Sequence, residues 1–361
     1  MPSPVASILE EARAERGFPG ATGAIVFADG ETWTGAAGWS DPDADAPMRE
    51  DAVMLQASVG KMYVGAVARR LEADGLLSLD AAVSDILAER PWFVRLANHE
   101  ALTLRHLLNH SGGLTDYLAT PGFQARVHEL LEDPDKAFDP ETLIGFTLDV
   151  PPLFPVGEGF AYSETAFLVA GLAIEAVTGR DYYDLVREMF LEPWRLTATY
   201  AADRRDIPGM ATGFRGPNPI GLPRRSMEEG RLSLHPGTEW TGGGWASTSL
   251  DMAAFAQKLL GPAGAACRAE IVERGQPTQH PLPGVYGLGV LASESAYGRR
   301  FGHGGWTPGY RTDVHCYPEA GFSVAVMANT DDPAQLTGEQ IVELGLKLAG
   351  RAAGRAPARD K

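Results

Sequence analysis

Strand-like runs at both ends of the chain, with a helix-rich stretch between them, constrain the fold more than any other feature. Residues 20–28 and 31–39, "GATGAIVFA" and "ETWTGAAGW", are apolar or alternating runs joined through the turn-forming pair Asp29-Gly30. Near the other end come "YGLGVLAS", "RRFGHGG", "YRTDVHCYP" and "GFSVAVMAN", the last two linked by the turn "PEAG". Between them the chain reads mainly helical and is broken by proline loops; the clearest helices are 103–110, 123–131, 140–147, 164–178 and 181–190. This pattern predicts an α/β domain built from residues 1–75 and 236–361, with an all-helical domain, 76–235, inserted into it. Terminal helices are expected over 4–16 and about 333–350, and 350–361 reads as a frayed, flexible tail. Residues 203–230 are an irregular, Pro- and Gly-rich excursion of a length that often carries function.

Composition narrows the function classes. A chain of 361 residues with 44% hydrophobic residues can bury a large core. A net charge of −16 argues against nucleic acid and anionic membrane surfaces, which require a basic face. The N-terminus lacks a basic stretch followed by an apolar run, and no segment is long and apolar enough to span a bilayer, so a cytoplasmic protein is expected. Cys267 and Cys316 are too few for a disulfide framework and read as buried free thiols. The sequence carries no signal of oligomeric state.

In "LQASVGKMYVGAVARRLEADG", Ser58 precedes Lys61 by one helical turn, so both share a face at a helix N-terminus. That end favours developing negative charge. Met62, Tyr63, Val64, Ala66, Val67, Ala68 and Leu71 make the helix apolar and therefore buried. Burial disfavours a charged amine, and a neutral amine beside a hydroxyl can take its proton and create a nucleophile. The plainer reading is that Ser58 caps the helix and Lys61 snorkels to water. Two further pieces stand downstream. Tyr162-Ser163-Glu164 follows a Gly-rich turn and opens an apolar helix, where capping and core packing are the bland alternatives. His303-Gly304-Gly305-Trp306 places glycines inside a strand pattern, marking either a plain Gly-rich hairpin or a close backbone approach.

In this order and at these separations, together with "LTLRHLLNHSGGLTDY", "PPLFPVGEGFAYSETAFLVAGLAIEAVTG" and "GGGWASTSLDMAAFAQKLL", the pieces resemble the serine β-lactamase and penicillin-binding-protein-like hydrolases. The likeness is nearer to the branch of class C β-lactamases, D-alanyl-D-alanine carboxypeptidases, D-aminopeptidases and related esterases. It extends over nearly the whole chain. The resemblance implies an antiparallel β-sheet flanked by helices, a helical domain, and an active site in the cleft between them. It implies no cofactor and no metal. Motif by motif, Ser58 matches the acylated nucleophile and Lys61 its activating partner. Tyr162 matches the proton relay, and His303 stands where a lysine or histidine opens the third motif. The N–H groups of Ser58 and Trp306 would form the oxyanion hole. A substrate backbone would lie along Gly304 and Gly305 like an added strand. Trp245, Trp306 and Tyr310 are expected to line the acyl pocket, with aromatic core packing as the other reading.

One residue departs from the family pattern. The trio usually ends in asparagine, which both donates and accepts hydrogen bonds; Glu164, when ionised, only accepts. A carboxylate there would hold Lys61 as an ammonium, making Tyr162 a rival for the role of main base, and would attract a free ammonium on the substrate. The expectation is therefore a serine hydrolase that forms an acyl-enzyme on a small amide or peptide carrying a free amine, of the D-amino acid type, or on an ester. Rival readings are a β-lactamase-like carboxylesterase, a catalytically inactive binding or sensor homologue, and an acyltransferase that forms peptide bonds. His106 and His110 have the spacing of a zinc pair but lack the accompanying glutamate and a third ligand. Gly242–Gly244 is not followed by the Lys-Ser/Thr of a phosphate loop. Asp313 and His315 are expected on a solvent-facing strand edge.

Overall fold

A computed structural model describes residues 3–218, 220–279 and 283–355. Among these, nine strands form one antiparallel sheet. They are β1 (Gly20–Phe27), β2 (Thr32–Asp41), β3 (Ala46–Pro47), β4 (Gln276–Thr278), β5 (Gly284–Gly287), β6 (Val290–Ser293), β7 (Arg300–Thr307), β8 (Tyr310–Tyr317) and β9 (Phe322–Ala328). Their spatial order is β3-β2-β1-β9-β8-β7-β6-β5-β4. The two ends of the chain thus meet in mid-sheet, where β1 and β9 pair from Ala21↔Ala328 to Phe27↔Phe322. Every residue of both strands is buried, because each is covered on both faces.

Five helices matter for the site: α1 (Pro4–Arg16), α2 (Lys61–Ala73), α3 (Glu164–Thr178), α4 (Ser249–Leu260) and α5 (Gly338–Ala353). On one sheet face Val5 and Leu9 of α1 and Leu344 and Leu348 of α5 pack on Ile25, Phe322 and Val324. The opposite face meets α4 and the larger core that α2 and α3 share. Helix α1 begins where Ser3 accepts the Ala6 N–H ahead of Pro4, and ends at Gly17 with φ 77°. Helix α3 is buried from Thr165 through Ile174, so it is an interior helix of the helical region. No helix among the described residues is long and apolar enough to cross a membrane.

The structure moves several sequence expectations. Helix α5 starts at Gly338, where Thr337 and Gln340 form a capping box, and it runs through Ala353 because Leu344, Leu348, Ala349 and Ala352 face the sheet. The tail expected from 350 therefore begins too early, and 356–361 lie outside the described residues. Helix 181–190 is instead Tyr182–Val186 followed by a π turn, Arg187–Leu191. Asp313 and His315 do not face solvent. Both are 3% exposed, because β8 is central and α5 covers that face, with Gly345 leaving room for the Asp313 carboxylate. Asp313 Oδ2 and His315 Nδ1 lie 3.1 Å apart. Cys267 and Cys316 are buried free thiols.

One close approach positions α2. A Cβ on Gly65 would lie 1.9 Å from the Leu288 carbonyl oxygen, and one on Gly289 (φ +71°) would lie 2.2 Å from that of Lys61. The β5–β6 turn crosses the first turns of α2 only because both residues are glycine.

Candidate active site

Ser58 sits in a 3-10 turn, Ala57–Gly60, that leads directly into α2. Its neighbours Ala57, Val59 and Gly60 are buried, whereas Ser58 reaches partial exposure. Ala57 holds φ 51°, a left-handed conformation that costs a non-glycine residue energy and is found where packing enforces it. Here the enforcing neighbours are β7 and β8. Thr312 donates to the Gln56 carbonyl at 2.9 Å, and Gly305 lies against that same oxygen and the Ala57 Cβ.

Lys61, the first residue of α2, is fully buried. Its Nζ is 3.2 Å from Ser58 Oγ, 2.7 and 2.6 Å from the two Glu164 oxygens, and 2.6 Å from the Gly242 carbonyl oxygen. The amine does not snorkel to water. It is held by a carboxylate and a carbonyl that both accept, with the Tyr162 and Phe167 rings 5.0 and 5.4 Å away. Glu164 opens α3, so the ion pair ties the helix that carries Ser58 to the interior helix.

Tyr162 precedes α3, and its hydroxyl is buried without a hydrogen-bond partner of ordinary geometry. Burial pushes this phenol well above the usual tyrosine range, the Glu164 charge adds to the effect, and the nearby Ser58 hydroxyl opposes it. A resting tyrosinate is therefore disfavoured. Ser163 stands at the N-cap position but makes no capping bond; its hydroxyl donates to the Thr115 carbonyl instead.

His303 on β7 donates from Nδ1 to the Gly304 carbonyl, which leaves Nε2 to accept the Tyr286 hydroxyl at 2.8 Å. Burial, reinforced by the Lys61 charge, holds the imidazole down to about 3. The unfolded ring titrates near about 6.5, so the neutral ring's contribution to stability is intact above that pH and is lost as pH falls toward 3. At about pH 4.5 the loss amounts to about 2–3 kcal/mol. Urea unfolding at about pH 7.5 and about pH 4.5 should show wild type losing more stability than His303→Gln by roughly this amount. Equal losses in the two proteins would contradict the assignment. Raised carboxyl groups elsewhere act in the opposite sense, but they are common to both proteins and cancel in the comparison.

Several residues to which sequence reasoning assigned no role in this centre surround it. His110 accepts the Ser163 N–H at Nδ1 (3.2 Å) and packs on Tyr162, Tyr286 and Phe167 with ring centroids 4.3, 4.8 and 5.1 Å away. His106 is used otherwise, in a reciprocal cap with Thr103. Asp116 accepts the Leu118 N–H, and burial plus the Glu164 charge raise its carboxyl to about 6. Glu239 accepts the Thr307 hydroxyl, and burial raises it to about 7, with Glu164 again adding. His110 and Asp116 lie within "LTLRHLLNHSGGLTDY", a stretch that already resembled the family, and Tyr286 opens the strand-like run "YGLGVLAS", whereas Glu239, a lone acidic residue in a loop, gives no local signal.

Two expected pocket residues are elsewhere. Trp245 is 1% exposed, donates to Tyr182 Oη at 3.2 Å and packs on Tyr63. Tyr310 is 0% exposed and donates to the Ala211 carbonyl at 2.7 Å. Both are core residues, because the short strand bearing Trp245 and the start of β8 are covered by neighbouring segments. Trp306 is 52% exposed and Gly304 is exposed, so the end of β7 is the open edge of this centre. A cavity of about 830 Å³ lies apart from it, lined by Asp41, Arg205, Thr212, Arg225 and Arg231 among others. Its arginines already pair with Asp41, Asp43 and Asp135.

Comparison with known proteins identifies relatives of this chain. Esterase EstB of Burkholderia gladioli is 34% identical over 195 residues, which is 52% of this chain and 48% of the esterase. A D-aminopeptidase of Brucella anthropi is 27% identical over 352 residues, 94% of this chain and 62% of that protein. The chain therefore spans about half the length of the first of these curated relatives and less than two thirds of the second. Among solved structures, a D-stereospecific amidohydrolase from a Streptomyces species superposes with a TM-score of 0.79 at 26% identity, covering 94% of this chain and 97% of the other. The Beta-lactamase family matches residues 5–346, so the chain belongs to that family of serine hydrolases.

Proposed function

We propose that the protein hydrolyses a small amide or peptide bearing a free amine on its acyl side, of the D-amino acid type, through an acyl-enzyme on Ser58. The observation that carries this reading is the Ser58 hydroxyl 3.2 Å from the amine of a fully buried Lys61. Ser58 attacks, Lys61 and Tyr162 move protons, and the N–H groups of Ser58 and Trp306 receive the oxyanion. His303, locked by Tyr286, orients the end of β7, along which the substrate backbone lies at Gly304 and Gly305.

Charge supports the free amine. One ammonium, Lys61, faces Glu164, and two more carboxyl groups, Asp116 and Glu239, feel the Glu164 charge. The site carries more acid than base, and a substrate ammonium would relieve the excess. Both Glu164 oxygens are occupied by Lys61, so Asp116 or Glu239 is the group left to meet that amine. The relatives named D-aminopeptidase and D-stereospecific amidohydrolase point the same way. The 34% identity to an esterase keeps ester hydrolysis as the second reading, because attack on an ester uses the same parts.

Intact-protein mass spectrometry after treatment with a fluorophosphonate should show one adduct on wild type and none on Ser58→Ala. An adduct that persists in Ser58→Ala would refute the nucleophile. Free D-amino acid amides should then turn over about 10–100-fold faster than their N-acetyl forms, the worth of one charge-assisted hydrogen bond. Equal rates would end the amine specificity and leave the ester reading.

A further inference from the structure

We infer that Glu164 is the proton acceptor for acylation, working through Lys61, so that Lys61 stays an ammonium and serves as a relay. The inference rests on the acyl-enzyme reading above. It begins from geometry. Lys61 Nζ has three hydrogens and four polar neighbours: Ser58 Oγ, both Glu164 oxygens and the Gly242 carbonyl. An amine held in an ion pair cannot take the serine proton until it gives one up. The Gly242 carbonyl cannot accept that proton, and the Lys61 side chain is sealed from water at 0% exposure. Glu164, bidentate at 2.7 and 2.6 Å, is the group placed to receive it.

The step balances. The Ser58 O–H proton passes to Lys61 Nζ as a proton on Nζ passes to a Glu164 oxygen. Ser58 Oγ forms a bond to the substrate carbonyl carbon, and the carbon–oxygen π pair moves onto the carbonyl oxygen. Negative charge has then moved from Glu164 to the oxyanion, and Lys61 is positive before and after. On collapse the carbonyl re-forms, the bond to the leaving nitrogen or oxygen breaks, and that atom takes the proton back from Glu164 by way of Lys61 and the Tyr162 hydroxyl. The other titratable groups around Lys61 are Tyr162, His110, His303, Asp116 and Glu239, and the two histidines are held neutral by burial.

The usual asparagine at this position could not accept a proton, so the glutamate changes what the site can do rather than only what it binds. The test is single-turnover acylation by p-nitrophenyl butyrate across about pH 5–9 in wild type and Glu164→Gln. The variant should acylate about 10²–10³-fold more slowly near neutrality, and its rate should rise about tenfold per pH unit where wild type is flat. An unchanged pH profile, with any difference confined to KM, would overturn the inference. Should Glu164→Gln fail to fold, a proton inventory of wild-type acylation in H2O/D2O mixtures decides: a curved plot is expected for two protons in flight, and a straight line overturns it. A fluorophosphonate adduct on wild-type Ser58 separates the two claims. With the adduct present, a failed inventory or profile removes only the role of Glu164. Without it, the hydrolase reading falls and this inference falls with it.

Discussion

Lys61→Met is expected to abolish measurable acyl transfer and to destabilise the fold by about 3–5 kcal/mol, whereas Lys61→Met/Glu164→Leu should regain most of the stability and none of the activity. The reasoning turns on burial. Lys61 is 0% and Glu164 15% exposed, so solvent screens the pair little. Removing the ammonium leaves the largely buried Glu164 carboxylate without its partner, and that uncompensated charge is the main cost. Replacing both ends with apolar groups of similar volume removes the charge and the penalty together. Catalysis does not follow stability. With no amine beside Ser58 the hydroxyl has no proton carrier, a loss of about 10²–10⁴ in rate for general base catalysis alone. Denaturant unfolding and p-nitrophenyl ester turnover on the three proteins check this. A single variant as stable as wild type, or a double variant that retains activity, would show that the pair is neither the charge anchor nor the proton carrier described here.

The second large effect comes from two neighbouring glycines that look alike in sequence and are not alike in space. A Cβ on Gly305 would lie 2.2 Å from Thr312 Oγ1 and 2.3 Å from the Gln56 carbonyl oxygen, two atoms already hydrogen-bonded to each other. Neither can yield without moving β8 or the turn that carries Ser58. Gly305→Ala should therefore cost about 1–3 kcal/mol and about 10²-fold in activity, because a shift of about 1 Å in the nucleophile is enough for that loss. At Gly304 the nearest atom to an added Cβ is the Thr312 carbonyl oxygen at 3.7 Å, and the residue is exposed. Gly304→Ala should leave stability within about 0.5 kcal/mol of wild type and raise KM alone, because only an incoming substrate backbone would meet the methyl group. The reverse order of stabilities would contradict the packing account, and an unchanged KM in Gly304→Ala would remove the strand-like binding mode.

What could be read from the chain alone is what depends on near neighbours along it. Alternation and turn residues marked β1, β2 and β6 through β9 as strands, and the one-turn spacing from Ser58 to Lys61 set their atoms side by side. The apolar run after Glu164 marked an interior helix. Those features follow from the two-residue and 3.6-residue periods of the backbone, which a local pattern reveals. Tertiary structure alone decided which faces were covered and which distant groups met. Asp313 and His315 alternate along a strand as surface residues do, yet β8 became central and α5 closed over them. Trp245 and Tyr310 were absorbed into the core, whereas Trp306 stayed open. The partners of Lys61 are 103 and 181 residues away along the chain. A side chain's charge and exposure are set by what packs on it, and contacts across such separations leave no periodic trace in the sequence.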